Sequence, residues 1–217
     1  MDTEIVKPLI IIPAAGFGTR VGAPMAKEML VRGSDQPMIQ FALNIAKTFD
    51  WPTHVLTRKE KVNLIEYLGH VQSNDIQLVE PTIEWPATIL QAKDYLHDWN
   101  FLILPDTRFT PIEILKVMWD NRKKSLLHYA CFTVNDPEHW GIISQIEGNC
   151  FISEKCNSQK DERLPQESLA WGVILFHKDA FSVFHLHLQS TLERIPKKIS
   201  YPISIYQLDS FVDLGRN

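Results

Sequence analysis

The chain has 217 residues, 45% hydrophobic and 22% charged, which suits one α/β domain with an ordinary core and leaves little room for two. A net charge of −4 gives no global case for nucleic acid or an anionic membrane as partner, so phosphate binding must rest on a few placed cations. The acidic start and the short apolar run 9–12 do not read as a signal sequence or a membrane span. Three cysteines without CxxC spacing read as free thiols, so a cytoplasmic location is expected.

Apolar, β-branched runs alternate with segments of helical period, as expected of strands that cross over through helices. The first strand, Leu9-Ile10-Ile11-Ile12-Pro13, is continuously apolar and so reads as buried on both faces. A glycine-containing loop follows. Pro37 then opens a helix with Ile39, Leu43, Ala46 and Phe49 inward. Residues 54–57 read as the second strand, Val62, Ile65 and Leu68 as the inner face of the next helix, and 76–79 as the third strand. A helix over about 86–97 leads into a strand at 101–104 that ends in Pro105-Asp106, and Pro111 opens a helix carrying Ile114, Leu115 and Met118. Beyond Leu127 strands dominate, at 129–134, 141–146, 150–153, 171–176 and 203–208. A βαβ first half (1–126) and a β-richer second half (127–217) therefore form one domain, with the polar stretch 157–167 as the best loop candidate.

The most informative segment is Pro13-Ala14-Ala15-Gly16-Phe17-Gly18-Thr19-Arg20, directly after the first strand. Small residues and glycines there let the backbone approach a ligand and turn its N–H groups toward an anion. Arg20 can fork two phosphate oxygens, and Lys27 adds a compact charge from across the loop. A dinucleotide fingerprint is excluded because its third glycine position is Val21, and a Walker A loop because Gly-Lys-Ser/Thr is absent.

This segment, with Lys27-Glu28-Met29-Leu30 and Gln36-Pro37-Met38-Ile39-Gln40, resembles the opening of the sugar-nucleotide pyrophosphorylases, the bacterial glucose-1-phosphate uridylyl- and thymidylyltransferases. The resemblance implies a Rossmann-like three-layer α/β/α nucleotidyltransferase fold with a mixed central sheet. It implies that Ala14, Ala15, Gly16, Gly18, Thr19 and Arg20 grip a nucleoside triphosphate, with Arg20 and Lys27 catalytic. Asp106 and Asp213, each after an apolar approach, read from composition alone as turn or cap residues. The family's strand-end Pro-Asp and late aromatic-x-Asp-x-Gly motifs imply instead that both hold magnesium, which favours hard oxygen ligands, with Asp106 also catalytic.

On the sugar side, Asp136-Pro137-Glu138-His139-Trp140-Gly141, then Ser153-Glu154-Lys155, then Trp171-Gly172-Val173 resemble the family's sugar-phosphate motifs. Gly141 and Gly172 would lie beside the sugar, Glu154 would accept from its hydroxyls and Lys155 would take its phosphate. Read singly, the glycines are strand bulges and Glu154 with Lys155 a surface charge pair. Trp85 and Trp171 are the tryptophans placed near a base or sugar, while His177, His185 and His187 read as structural.

The pattern departs from the family at several points. Only six residues separate Arg20 from Lys27, a spacing closer to the cytidylyltransferases of isoprenoid synthesis, and Cys156 stands where Glu-Lys-Pro would have its proline. Glu80 falls where the thymidylyltransferases read the base with a glutamine, and the C-terminal helices that relatives use for assembly are not in the sequence. The expected activity is a magnesium-dependent sugar-1-phosphate nucleotidylyltransferase. It would use UTP or dTTP and a glucose 1-phosphate-like acceptor, release pyrophosphate, and need neither nucleic acid nor membrane. A homo-oligomer is compatible with the resemblance. A cytidylyltransferase for another phosphorylated alcohol and a non-catalytic nucleotide-binding relative are the alternatives.

Overall fold

Strand β1 (Leu9–Pro13) is apolar at every position because both its faces are covered. The computed structural model describes residues 6–16, 26–32, 35–71, 74–82, 84–155 and 168–215. In it β1 lies parallel to β2 (Thr53–Thr57) on one side and to β4 (Trp99–Ile103) on the other, and β3 (Asn74–Leu78) continues the parallel block beyond β2. Alternate side chains of β1 feed two cores. Ile10 and Ile12 pack with α1 (Gln40–Phe49), α2 (Val62–His70) and α4 (Ile114–Asp120). Leu9 and Ile11 pack with α3 (Trp85–Leu90) and α5 (Val183–Glu193) on the opposite face. The result is three layers, α/β/α, around a mixed sheet, as the sequence led one to expect.

The second half adds antiparallel pairing to that sheet. Strand β9 (Ser168–His177) runs antiparallel to β6 (Leu127–Val134) along one side. On its other side, residues 173–177 pair with β4, whereas Ala170 and Leu169 pair with β7 (Gly141–Ile146). Trp171 and Gly172 pair with neither, so the sheet forks at these two residues. Beyond β7 lie β8 (Asn149–Glu154) and β10 (Lys197–Ile199), while β11 (Ile203–Gln207) runs parallel to β6. A separate two-stranded ribbon joins β5 (Thr107–Thr110) to β12 (Ser210–Asp213).

Some details differ from the sequence reading: Val62, expected on the inner face of α2, is exposed, and Leu64 takes that place one helical turn before Leu68. The helix expected over 86–97 stops at Leu90, followed by a 3-10 turn at Lys93–Tyr95. The Gln91 and Ala92 N–H groups turn to the carbonyls three residues back, Thr88 and Ile89, and Asn100 ties up both backbone groups of His97, so the α-helical ladder ends before 97. Strands β5, β10 and β12 were not anticipated, being three or four residues long with exposed positions and little apolar patterning. The stretch 157–167 lies outside the described residues. No described helix is long and apolar enough to cross a membrane.

Candidate active site

Strands β1 and β4 run in the same direction side by side, so Ala14 and Asp106 follow their carboxyl ends at one edge of the sheet. Open α/β sheets bind ligands at that edge. The ribbon delivers the second carboxylate there, because Asp213 pairs with Thr107, the neighbour of Asp106. The Leu214 N–H donates to the Asp106 carbonyl at 2.8 Å, and the Gly215 N–H to Asp213 Oδ1 at 2.8 Å. Lys27 Nζ donates to Asp106 Oδ2, closing a contact between residues far apart in the chain.

Gly215 marks the centre of this group. A Cβ there would overlap Asp106 Oδ2 and come within 3.1 Å of both Asp213 Oδ1 and Lys27 Nζ. Two carboxylates and one ammonium thus ring a notch that any larger side chain would fill. The donor set suits a hard divalent cation that takes one or two carboxylates and completes its shell with phosphate and water. On that chemistry the residues fit magnesium.

Of the glycine-rich loop, Ala14 and Ala15 are buried and Gly16 is exposed with open space around its Cα. The Ala14 N–H donates to the Leu56 carbonyl at 2.8 Å, extending the β1–β2 ladder to the start of the loop. Gly18, Thr19 and Arg20 lie outside the described residues. Glu80 is exposed, its backbone clamped on both sides by the Gln91 amide.

Directly beneath Lys27 is a pair that the sequence reading did not single out. Glu28 and Lys61 are 1% and 5% exposed, and Lys61 Nζ reaches Glu28 Oε1 at 2.9 Å, Glu28 Oε2 at 2.8 Å and the Ala14 carbonyl at 2.7 Å. Burial pushes the Lys61 amine below the ordinary 10.5, against the opposing pull of the Glu28 carboxylate. A lysine opening a helix ordinarily reads as solvated, so no pattern in the sequence marks this one.

The residues expected from the sequence on the sugar side gather where the sheet forks. Gly141 pairs with Glu154 across β7 and β8, and a Cβ on Gly141 would overlap the Trp171 indole and sit 2.6 Å from Glu154 Oε1. Glu154 is 2% exposed. Its Oε1 accepts from Trp171 Nε1 at 2.9 Å and lies 2.7 Å from His187 Nδ1, whose Nε2 is 3.3 Å from the Tyr129 hydroxyl. Trp85, half-buried at the start of α3, meets Trp171, His187 and Phe184 with ring centroids 5.0, 5.1 and 6.1 Å away. Gly172 is the unpaired residue of a β-bulge against β6, with its Cα side facing the Phe211 ring at 2.6 Å from a notional Cβ. Lys155 is exposed in a left-handed conformation at φ 50°, its N–H bonded to the Trp140 carbonyl. Of the three histidines noted in the sequence, only His187 reaches this cluster; His177 lies beside Asp179, and His185 is exposed on α5.

By sequence, the chain matches no protein-family model and no curated protein. Its fold is nevertheless shared with solved structures. A Bacillus anthracis protein described as a glucose-1-phosphate thymidylyltransferase, crystallised with sucrose, superposes with a TM-score of 0.75 at 21% identity over 97% of this chain and 90% of its own. HddC from Yersinia pseudotuberculosis, complexed with GMP-PN, gives 0.69 at 15% identity over 96% and 94%. A UDP-glucose pyrophosphorylase from Acinetobacter baumannii gives 0.68 at 16% identity over 97% and 89%.

Proposed function

We propose that this protein is a sugar-phosphate nucleotidylyltransferase, joining a sugar 1-phosphate to the α-phosphorus of a nucleoside triphosphate and releasing pyrophosphate. The observation that carries the reading is the convergence of Lys27, Asp106 and Asp213, from three distant segments, around Gly215 at the carboxyl edge of the sheet. The shared fold with proteins described as thymidylyltransferase and UDP-glucose pyrophosphorylase supports it.

In this reading Ala14 stays tied to the sheet through Leu56, the loop from Ala15 through Gly16, Gly18 and Thr19 would offer backbone N–H groups to the triphosphate, and Arg20 and Lys27 would neutralise its oxygens. Asp106 and Asp213 would hold magnesium, which supplies positive charge against the phosphates. Glu80 is assigned to the base, Trp85, which packs on Trp171 beside the sugar cluster, to the wall between base and sugar, and the UTP or dTTP preference is part of the proposal. Across the fork, Gly141, Glu154 and Gly172 form the sugar side, and Lys155 orients the sugar phosphate, for which a glucose 1-phosphate-like substrate is proposed. One oxygen of that phosphate attacks in line, the new O–P bond forms as the α–β bridging bond breaks, and pyrophosphate carries away the electron pair. The enzyme forms no covalent bond, so its contribution is alignment and charge.

The test is pyrophosphate release with magnesium across the common triphosphates and a panel of sugar 1-phosphates. Asp106→Ala should lower turnover at least ~100-fold, the scale expected for deleting one preorganised charge, with the melting transition preserved. Full activity of that variant, or no release by the wild type with any pair, would overturn the reading. Release only from CTP with a non-sugar phosphate would reassign it to the cytidylyltransferases.

A further inference from the structure

We infer that Glu28 and Lys61 are positioning residues, whose buried ion pair fixes the backbone that presents Lys27 to the substrate phosphates. The inference rests on the function proposed above and adds two residues to it.

The pair joins three separate pieces of chain. Lys61 precedes α2, Glu28 lies in the 3-10 turn Lys27–Met29, and Ala14 follows β1 at the foot of the glycine-rich loop. An ammonium has three donors, and here each has an acceptor: both Glu28 oxygens and the Ala14 carbonyl. The turn is further tied by Ile39 N–H to the Glu28 carbonyl at 3.2 Å and Leu30 N–H to the Lys27 carbonyl at 3.0 Å. With Glu28 held inward, its neighbour Lys27 is directed to Asp106. The same ammonium therefore holds both the Ala14 backbone just past β1 and the turn that carries Lys27.

Energetics favour a geometric role over simple stabilisation. Two fully desolvated charges gain little net stability over a well-packed apolar pair, but they tolerate few alternative arrangements. Misplacing a catalytic group by about 1 Å can cost on the order of a hundredfold in rate. An apolar pair would also leave the Ala14 carbonyl without the Lys61 donor.

The experiment compares Lys61→Met, Glu28→Gln and the double variant Glu28→Gln/Lys61→Met, which removes both charges and so leaves neither buried alone. Thermal melting and pyrophosphate-release kinetics are measured for each, with and without Lys27→Ala. The double variant is expected to regain most of the melting temperature lost in the single variants. Its kcat should stay about tenfold or more below wild type, with KM for the sugar phosphate little changed. In the Lys27→Ala background the same changes should cost less than about twofold, because the lysine they position is gone. Recovery of kcat together with melting temperature, or an equal loss in both backgrounds, would overturn the role. A crystal structure of the double variant gives a readout independent of turnover. Lys27 displaced from Asp106 is expected, and Lys27 in its original place would overturn the inference even if the wild type proved inactive. Wild-type inactivity with Lys27 displaced would sink only the enzymatic reading.

Discussion

Glu154 is almost wholly buried, and one of its oxygens meets two ring nitrogens, from Trp171 and His187. A buried carboxylate depends on such donors, and hydrogen bonds to charged groups contribute more than neutral ones. His187→Leu, which keeps the bulk and removes the donor, should cost about 1.5–3 kcal/mol of stability, read from the urea midpoint at unchanged slope. The same substitution beside Glu154→Gln should cost less, since the two residues act together. Part of this was readable from the sequence. Val183, Phe184, His187 and Ser190 follow helical spacing, which places His187 on the inward stripe of α5 and agrees with a structural histidine. The partners were not readable, because Glu154 and Tyr129 come from strands whose neighbours only the topology decides. Lys61 and Glu28 were hidden for a different reason. Buried charges look like surface charges until both members of the pair are seen.

At the scale of elements, Gly172 connects the fork to the ribbon. Its missing side chain leaves room for Phe211, which stacks on Phe132 at 4.2 Å and meets Trp140 edge-on at 6.1 Å. Gly172→Ala should push Phe211 aside and shift β12, destabilising the protein by about 1–3 kcal/mol as overpacking does. If the proposed activity holds, turnover should fall by more than that instability accounts for, because Asp213 lies two residues beyond Phe211; unaltered kcat in a folded Gly172→Ala protein would argue against this link. Elements with a clear apolar signature were readable, β1 and β9 as continuous apolar runs covered on both faces and α1 from its third- and fourth-residue spacing. The ribbon was not. Four-residue strands with alternate positions in solvent carry too little pattern, although Asp213 itself was found from its motif.

For the whole molecule, burial sets the behaviour at high pH. Cys131 and Tyr129 are fully buried, and desolvation raises both above their ordinary values of 9.0 and 10.0. Below pH 9 the folded and unfolded chains both keep these protons. Above it the unfolded chain releases the thiol proton while the folded one does not, so stability falls as pH rises, by up to about 1.4 kcal/mol per unit for one group. Lys61 acts in the opposite sense, because its lowered value means that the folded chain sheds its proton first. Cys131→Ala should therefore flatten the decline above about pH 9 relative to wild type, and urea titrations between pH 8 and 10.5 would show it; identical slopes would mean that the thiol ionises while folded.

The separation of the two aspartates is governed locally. Residues 210–213 pair with 107–110, and Leu214 closes on Asp106 itself, so a short antiparallel clasp, and not the main sheet, sets how far apart the acids stand. Wear on the main sheet should shorten the protein's life in heat long before it alters the spacing of its paired acids. Changes to the clasp should do the reverse, which leaves the placement of the acids and thermal endurance free to vary independently.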